Sequence, residues 1–194
     1  MLAEALIVLT LTPSLLPGSL LGSRLEDAER TDFFTFFKLK ATGAVLALEK
    51  TYVTGFKPEG AQFRELVSVS VTLDTSDQIV GIELSLARSF VDHKANGIFA
   101  RDIAKSLLRS AVPPEDEKAI VDLTNEIEFP ERGSSHRTIT SRTHPKLRAK
   151  PTLGYLTYLG KRSSFEQILT RCRLGLENRK INKVDSLLVW VTIK

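Results

Sequence analysis

The side chains in this sequence that could carry chemistry are few: one cysteine, three histidines, and a run of arginines and lysines threaded with hydroxyl residues. A single cysteine excludes an intramolecular disulfide and any multi-cysteine zinc or iron–sulfur site. His93, His136 and His144 form neither a His-x3-His nor a His-Glu-x-x-His pattern, so no metal centre is expected. Cys172 alternates with Arg171 and Arg173 and shares its side with Leu174 and Leu176, which reads as a small core residue and not an activated thiolate. Ser134-Ser135-His136 places a nucleophile next to a base in sequence, but no Gly-x-Ser-x-Gly turn frames it. Asp92-His93 reads as a turn and a cap. Glu115-Asp116-Glu117 reads as the acidic opening of a helix, where the helix dipole accounts for it. No glycine pattern matches a phosphate-cradling loop. No catalytic residue and no cofactor are therefore expected.

The basic tract is the strongest candidate site. Arg132, Arg137, Arg142, Lys146, Arg148 and Lys150 carry six positive charges with no carboxylate between them, interspersed with Ser134, Ser135, Thr138, Thr140, Ser141 and Thr143. Charge with hydroxyl donors suits phosphate oxygens, on nucleic acid or on anionic headgroups. The tract holds no aromatic residue for base stacking, which counts against single-stranded nucleic acid. The formal charge of +4 hides a split: residues 1–131 sum to −7 and residues 132–194 to +11. Seven acidic residues between 114 and 131 directly precede the tract, so the two regions could also screen one another.

The elements that must position these groups follow from periodicity. Val67, Val69, Val71 and Leu73 alternate with polar residues, as do Val80, Ile82, Leu84 and Leu86 after Asp74-Thr75-Ser76-Asp77. This pattern predicts an antiparallel hairpin with one buried and one wet face. Residues 97–112, with Asn96 as cap, place Phe99, Ile103, Leu107 and Ala111 along one helical stripe. Pro113-Pro114 ends that helix, and a second is expected from Pro114 to Pro130. Phe33, Phe34, Phe36 and Phe37 fall in five positions, Lys38 and Lys40 then alternate with Phe37 and Leu39, and the segment is read as a strand, with Asp32 capping a helix as the alternative. Ala41-Thr42-Gly43 then reads as a turn into a partner strand at 44–54. The four Phe are assigned to a sheet face packed under helices, with a lipophilic pocket as the competing reading. Residues 131–152 are expected to form a basic loop, and 153–159, 171–176 and 187–193 to form strands.

The expected fold is α+β, a mainly antiparallel sheet with two consecutive helices packed on one face, spanning residues 31–194 as a single domain. Residues 1–30 are read as an apolar export-type segment and a charged connector. Residues 5–23 are uncharged, and Pro13 and Pro17 break any continuous helix, which favours a signal peptide, with a hydrophobic arm packed on the domain or a membrane anchor as the alternatives. Against it, Glu4 stands where a basic residue belongs. Leu20-Leu21-Gly22-Ser23 has the shape of a lipoprotein box with Ser in the cysteine position, so no lipid can attach there. The functional expectation is a non-catalytic cell-envelope or secreted binding module engaging a protein or an anionic surface. The alternatives are a nucleic-acid-associated protein using the basic C-terminal third, or an enzyme with a dispersed site.

Overall fold

A computed structural model describes residues 19–93, 96–116 and 164–194 of the 194. Two short helices open the described chain, α1 (Leu25–Glu29) and α2 (Asp32–Phe36). Strands β1 (Leu39–Leu48), β2 (Thr51–Pro58), β3 (Val67–Asp74) and β4 (Ile79–Ala87) follow. Helices α3 (Arg88–Val91) and α4 (Gly97–Ala111) come next, then a 3-10 turn, Pro114–Asp116. Strands β5 (Ser164–Ile168), β6 (Cys172–Ile181) and β7 (Val184–Ile193) complete the order. Among the described residues the strands form one antiparallel sheet, ordered β1-β2-β3-β4-β7-β6-β5. The fold is α+β, as the sequence pattern implied.

The alternating hairpin lies at the centre of this sheet. Val69 and Val71 stand opposite Leu84 and Ile82, which in turn face Val189 and Val191 on β7. Leu174 and Leu176 continue the row on β6, and all eight side chains are buried. Their apolar face is covered by the consecutive helices α3 and α4. Ile103, Leu107 and Leu108 of α4 join Phe90 and Val91 of α3 in the same core cluster. Gly97 allows the two helices to meet, because a Cβ there would lie 2.7 Å from the Val91 carbonyl oxygen. Asn96 occupies the cap position, but its side chain makes no cap bond. Instead its N–H donates to His93 Nδ1 at 3.2 Å.

Three expectations are corrected. The Phe segment is a helix, not a strand. Phe33, Phe34 and Phe37 sit at helical spacing and pack against the core together, whereas a strand would split Phe33 and Phe34 between two faces. The turn expected at Ala41-Thr42-Gly43 is an irregularity inside β1: Gly43 takes φ +76°, the register shifts between Ala41 and Val45, and the strand continues to Leu48. The packed unit also reaches further upstream than Thr31. Leu20, Leu21 and Ala28 belong to the core cluster. Leu20 N–H donates to the Ser110 carbonyl at 2.7 Å, and Ser19 Oγ donates to the Ala111 carbonyl at 3.0 Å, so this strap satisfies the open C-terminal end of α4. Gly22 and Ser23 then exchange backbone hydrogen bonds with Ile79 at the start of β4. Of the second helix expected from Pro114, only the 3-10 turn falls within the described residues. The basic loop at 131–152 and the strand at 153–159 lie outside them.

Asp116 closes the other end of the sheet. Its buried carboxylate accepts the Thr170 N–H at 2.9 Å and the Arg171 N–H at 3.1 Å, pinning the β5–β6 connection to the end of the helical layer. Burial works to raise the Asp116 carboxyl; the bonds from Thr170, Arg171 and the Cys172 thiol outweigh it and hold the group below the ordinary carboxylate range. The interaction therefore stabilises the fold above the unfolded-state value of about 3.9, and is lost as pH falls through the lower folded value. Asp116→Ala should cost about 1–3 kcal/mol near neutral pH, by leaving buried donors unpaired. In urea titrations the gap between wild type and variant should shrink as the solution is acidified below pH ~4.

Candidate functional site

Among the described residues, the groups singled out as possible nucleophile or ligand, Cys172, Asp92, His93, Glu115 and Asp116, are engaged in structure. Cys172 is fully buried beneath the sheet. Burial first, then the neighbouring Asp116 carboxylate and its hydrogen bond, push the thiol up to about 12, far from a reactive thiolate. Asp92 pairs with Arg88 at 3.0 Å, and His93 accepts the bond from Asn96. Of the acidic trio at 115–117, Asp116 pins the β5–β6 connection and Glu115 pairs with Arg171 at 3.1 Å, while Glu117 and the helix it was expected to open lie outside the described residues. Among the described residues no group of three or more His, Cys, Asp or Glu could hold a metal ion.

Glu83 is the other perturbed carboxyl among the described residues. It projects from β4 on the sheet face opposite α4, where burial raises it, Arg179 lowers it and Glu177 raises it again. Arg179 forks onto Glu177 through Nη2 at 2.8 Å and Nε at 3.3 Å. Glu83 lines neither of the concavities described below.

An open cavity of about 270 Å³ lies where α2, the N-terminal half of α4 and the start of β1 come together. Its walls are aromatic. Eight of the ten Phe join in one chain of ring contacts. Phe34 meets Phe56 edge-on at 5.1 Å, and Phe33 meets Phe34 at 5.5 Å and Phe37 at 5.6 Å. Phe37 meets Phe99 at 6.2 Å, while Phe99 stacks on Phe63 at 5.5 Å with the rings 19° apart. Edge-to-face and offset contacts of this kind favour fixed ring positions and add about 0.5–1.5 kcal/mol per pair beyond area burial. The inner rings are buried, but Phe36 is 72% exposed and Phe99 39% exposed at the mouth.

Lys38 lines this cavity with Gln62 and Gly60. It ends α2 in the left-handed region, φ 47°, uncommon for a residue with a side chain. The conformation is held from both sides: its N–H donates to the Thr35 carbonyl at 3.2 Å, and its carbonyl accepts the Glu59 N–H at 3.0 Å. Lys38 makes no ion pair with any described residue, and none of the described residues lining the cavity is acidic.

A second concavity, about 310 Å³, gathers Arg88, Asp92, Asn178, Arg179, Lys180 and Asp185 at one end of the sheet. Its charges neutralise one another: Arg88 with Asp92, Arg179 with Glu177, and Lys180 with Asp185 at 4.0 Å. A separate apolar patch is carried by the outer strand β1, where Val45, Leu46 and Leu48 are exposed.

The residues expected to form the site, Arg132, Arg137, Arg142, Lys146, Arg148 and Lys150, all lie outside the described residues, as do Ser134, Ser135, His136 and His144. Sequence reasoning found one wall of the aromatic cavity, Phe33 to Phe37, and assigned Phe99 to the core stripe of α4. It missed Phe63, whose segment between β2 and β3 shows no periodicity. Compared with known proteins, the chain matches no protein-family model, no curated protein and no solved structure.

Proposed function

We propose that this protein is a non-catalytic binding module, exported to the cell envelope or secreted, that holds an apolar group of its partner in the aromatic cavity. The observation that carries the reading is the cavity itself: a concave, ring-lined site with Phe36 and Phe99 left partly in water at its mouth. Cavities lined by apolar side chains with a few polar groups are the usual form of a ligand site. Among the described residues its walls hold neither a nucleophile nor an acid–base pair, and Lys38 is the one ionic residue of that lining. The reading places recognition at the cavity and not on the basic tract.

Export rests on the apolar, proline-interrupted stretch before Ser23, and the packing of the strap limits where such a segment could be cut. Leu20 and Leu21 are core residues, so removal of a leader would have to leave them on the mature chain. Among the described residues no helix is long and apolar enough to cross a membrane.

Two measurements test this proposal. N-terminal sequencing of protein expressed in its native cell should give a start upstream of Leu20 and downstream of the apolar run; an intact Met1 in a soluble cytoplasmic fraction would contradict export. Titration with the neutral apolar fluorophore N-phenyl-1-naphthylamine should show one saturable site. Phe36→Glu should weaken it about tenfold or more, by placing a charge at the mouth, with little change in the unfolding midpoint because Phe36 is largely exposed. Absence of saturable binding to the folded wild type would contradict the assignment of the cavity.

A further inference from the structure

We propose that the aromatic cavity takes the single hydrocarbon chain of an anionic amphiphile, a fatty-acid carboxylate, with its head held by Lys38. This inference rests on the reading of the cavity as a binding site and adds the chemistry of the occupant. Three observations point to it. The first is charge complementarity. Among the described residues Lys38 is the only ionic one lining the cavity, and its ammonium makes no ion pair with any of them. An apolar slot with one unpaired cation at its edge matches a ligand that is apolar along its length and negative at one end.

The second is the way Lys38 is placed. A left-handed conformation is a mild strain for lysine, and glycine or asparagine would relieve it. Here the hydrogen bonds to Thr35 and Glu59 fix the backbone at the junction of α2 and β1, so the side chain springs from a fixed point beside the rings. The third is size. About 270 Å³ is just below the range of about 300–1,000 Å³ typical of ligand pockets. That room suits one short or medium acyl chain and not the two chains of a membrane diacyl lipid. Phe33, Phe37, Phe63 and Phe99 would contact the methylenes, and the exposed edge of Phe36 would cover the chain near its head.

The test is calorimetric titration of the full chain with decanoate and with decanol, both below the concentrations at which they self-associate. Wild type should bind both, and Lys38→Gly should weaken decanoate about fivefold while leaving decanol unchanged. Glycine suits the left-handed backbone, so the variant should fold at least as stably as wild type, which a urea titration checks. Lys38→Arg should restore most of the decanoate affinity. Hexadecanoate should bind more weakly than decanoate, and vesicles of a diacyl anionic phospholipid should not displace the bound ligand. Equal loss of decanoate and decanol in Lys38→Gly, or no loss of either, would overturn the role of Lys38. Displacement by the vesicles would overturn the single-chain assignment. If the neutral fluorophore binds while neither decyl ligand does, the cavity is a binding site and this account of its occupant is wrong.

Discussion

The apolar face running across β3, β4, β7 and β6 must be shielded from water. Val69, Val71, Ile82, Leu84, Leu174, Leu176, Val189 and Val191 all project to this face. Fully burying such a side chain is worth about 1.5–3 kcal/mol relative to leaving it in water, so the position of α4 over them is the dominant constraint on the layout. The strap at Ser19 and Leu20 satisfies the carbonyls at the C-terminal end of α4, and Asp116 fastens β5 and β6 to the segment beyond it. These polar contacts hold the layer in register against a sheet whose burial supplies most of the stability.

The cavity arises where that cover ends. Helix α4 lies over the central strands, and the β1–β2 side of the sheet is left to the short helix α2 and its rings. Phenylalanines bridge the gap because their reach exceeds that of aliphatic side chains, and their edge-to-face contacts set the spacing. Phe56 on β2 supports Phe34, and Phe90 on α3 supports Phe63, so both walls of the cavity are tied to the core. Rings held this way keep the shape of the cavity fixed by the core, which under the proposed binding role would lower the ordering cost of an occupant.

Much of this was legible in the sequence where a period was strong. The alternation at 67–73 and 80–86 identifies the central hairpin, and the four-residue recurrence of Ile103, Leu107 and Ala111 identifies α4. The Phe segment reads as a strand because Phe37 and Leu39 alternate with Lys38 and Lys40, but only Leu39 and Lys40 of that alternation belong to β1, and Phe37 closes α2. Its helical state is decided by Phe34 reaching Phe56 across the sheet, a contact that local propensity does not contain. Gly43 has the composition of a turn and the role of a strand irregularity, a distinction made by the partner strand and not by the residue. The cavity was only half visible for the same reason: Phe37, Phe63 and Phe99 come from three separate elements, and no spacing rule joins them.

The central claim is that this open aromatic cavity is where the protein binds. The most direct test is intermolecular nuclear Overhauser contacts between protons of bound N-phenyl-1-naphthylamine and assigned aromatic protons of the protein. The account predicts contacts to the rings of Phe36, Phe37, Phe63 and Phe99. Contacts confined to Val45, Leu46 and Leu48 on the outer strand, with none to those four rings, would contradict it.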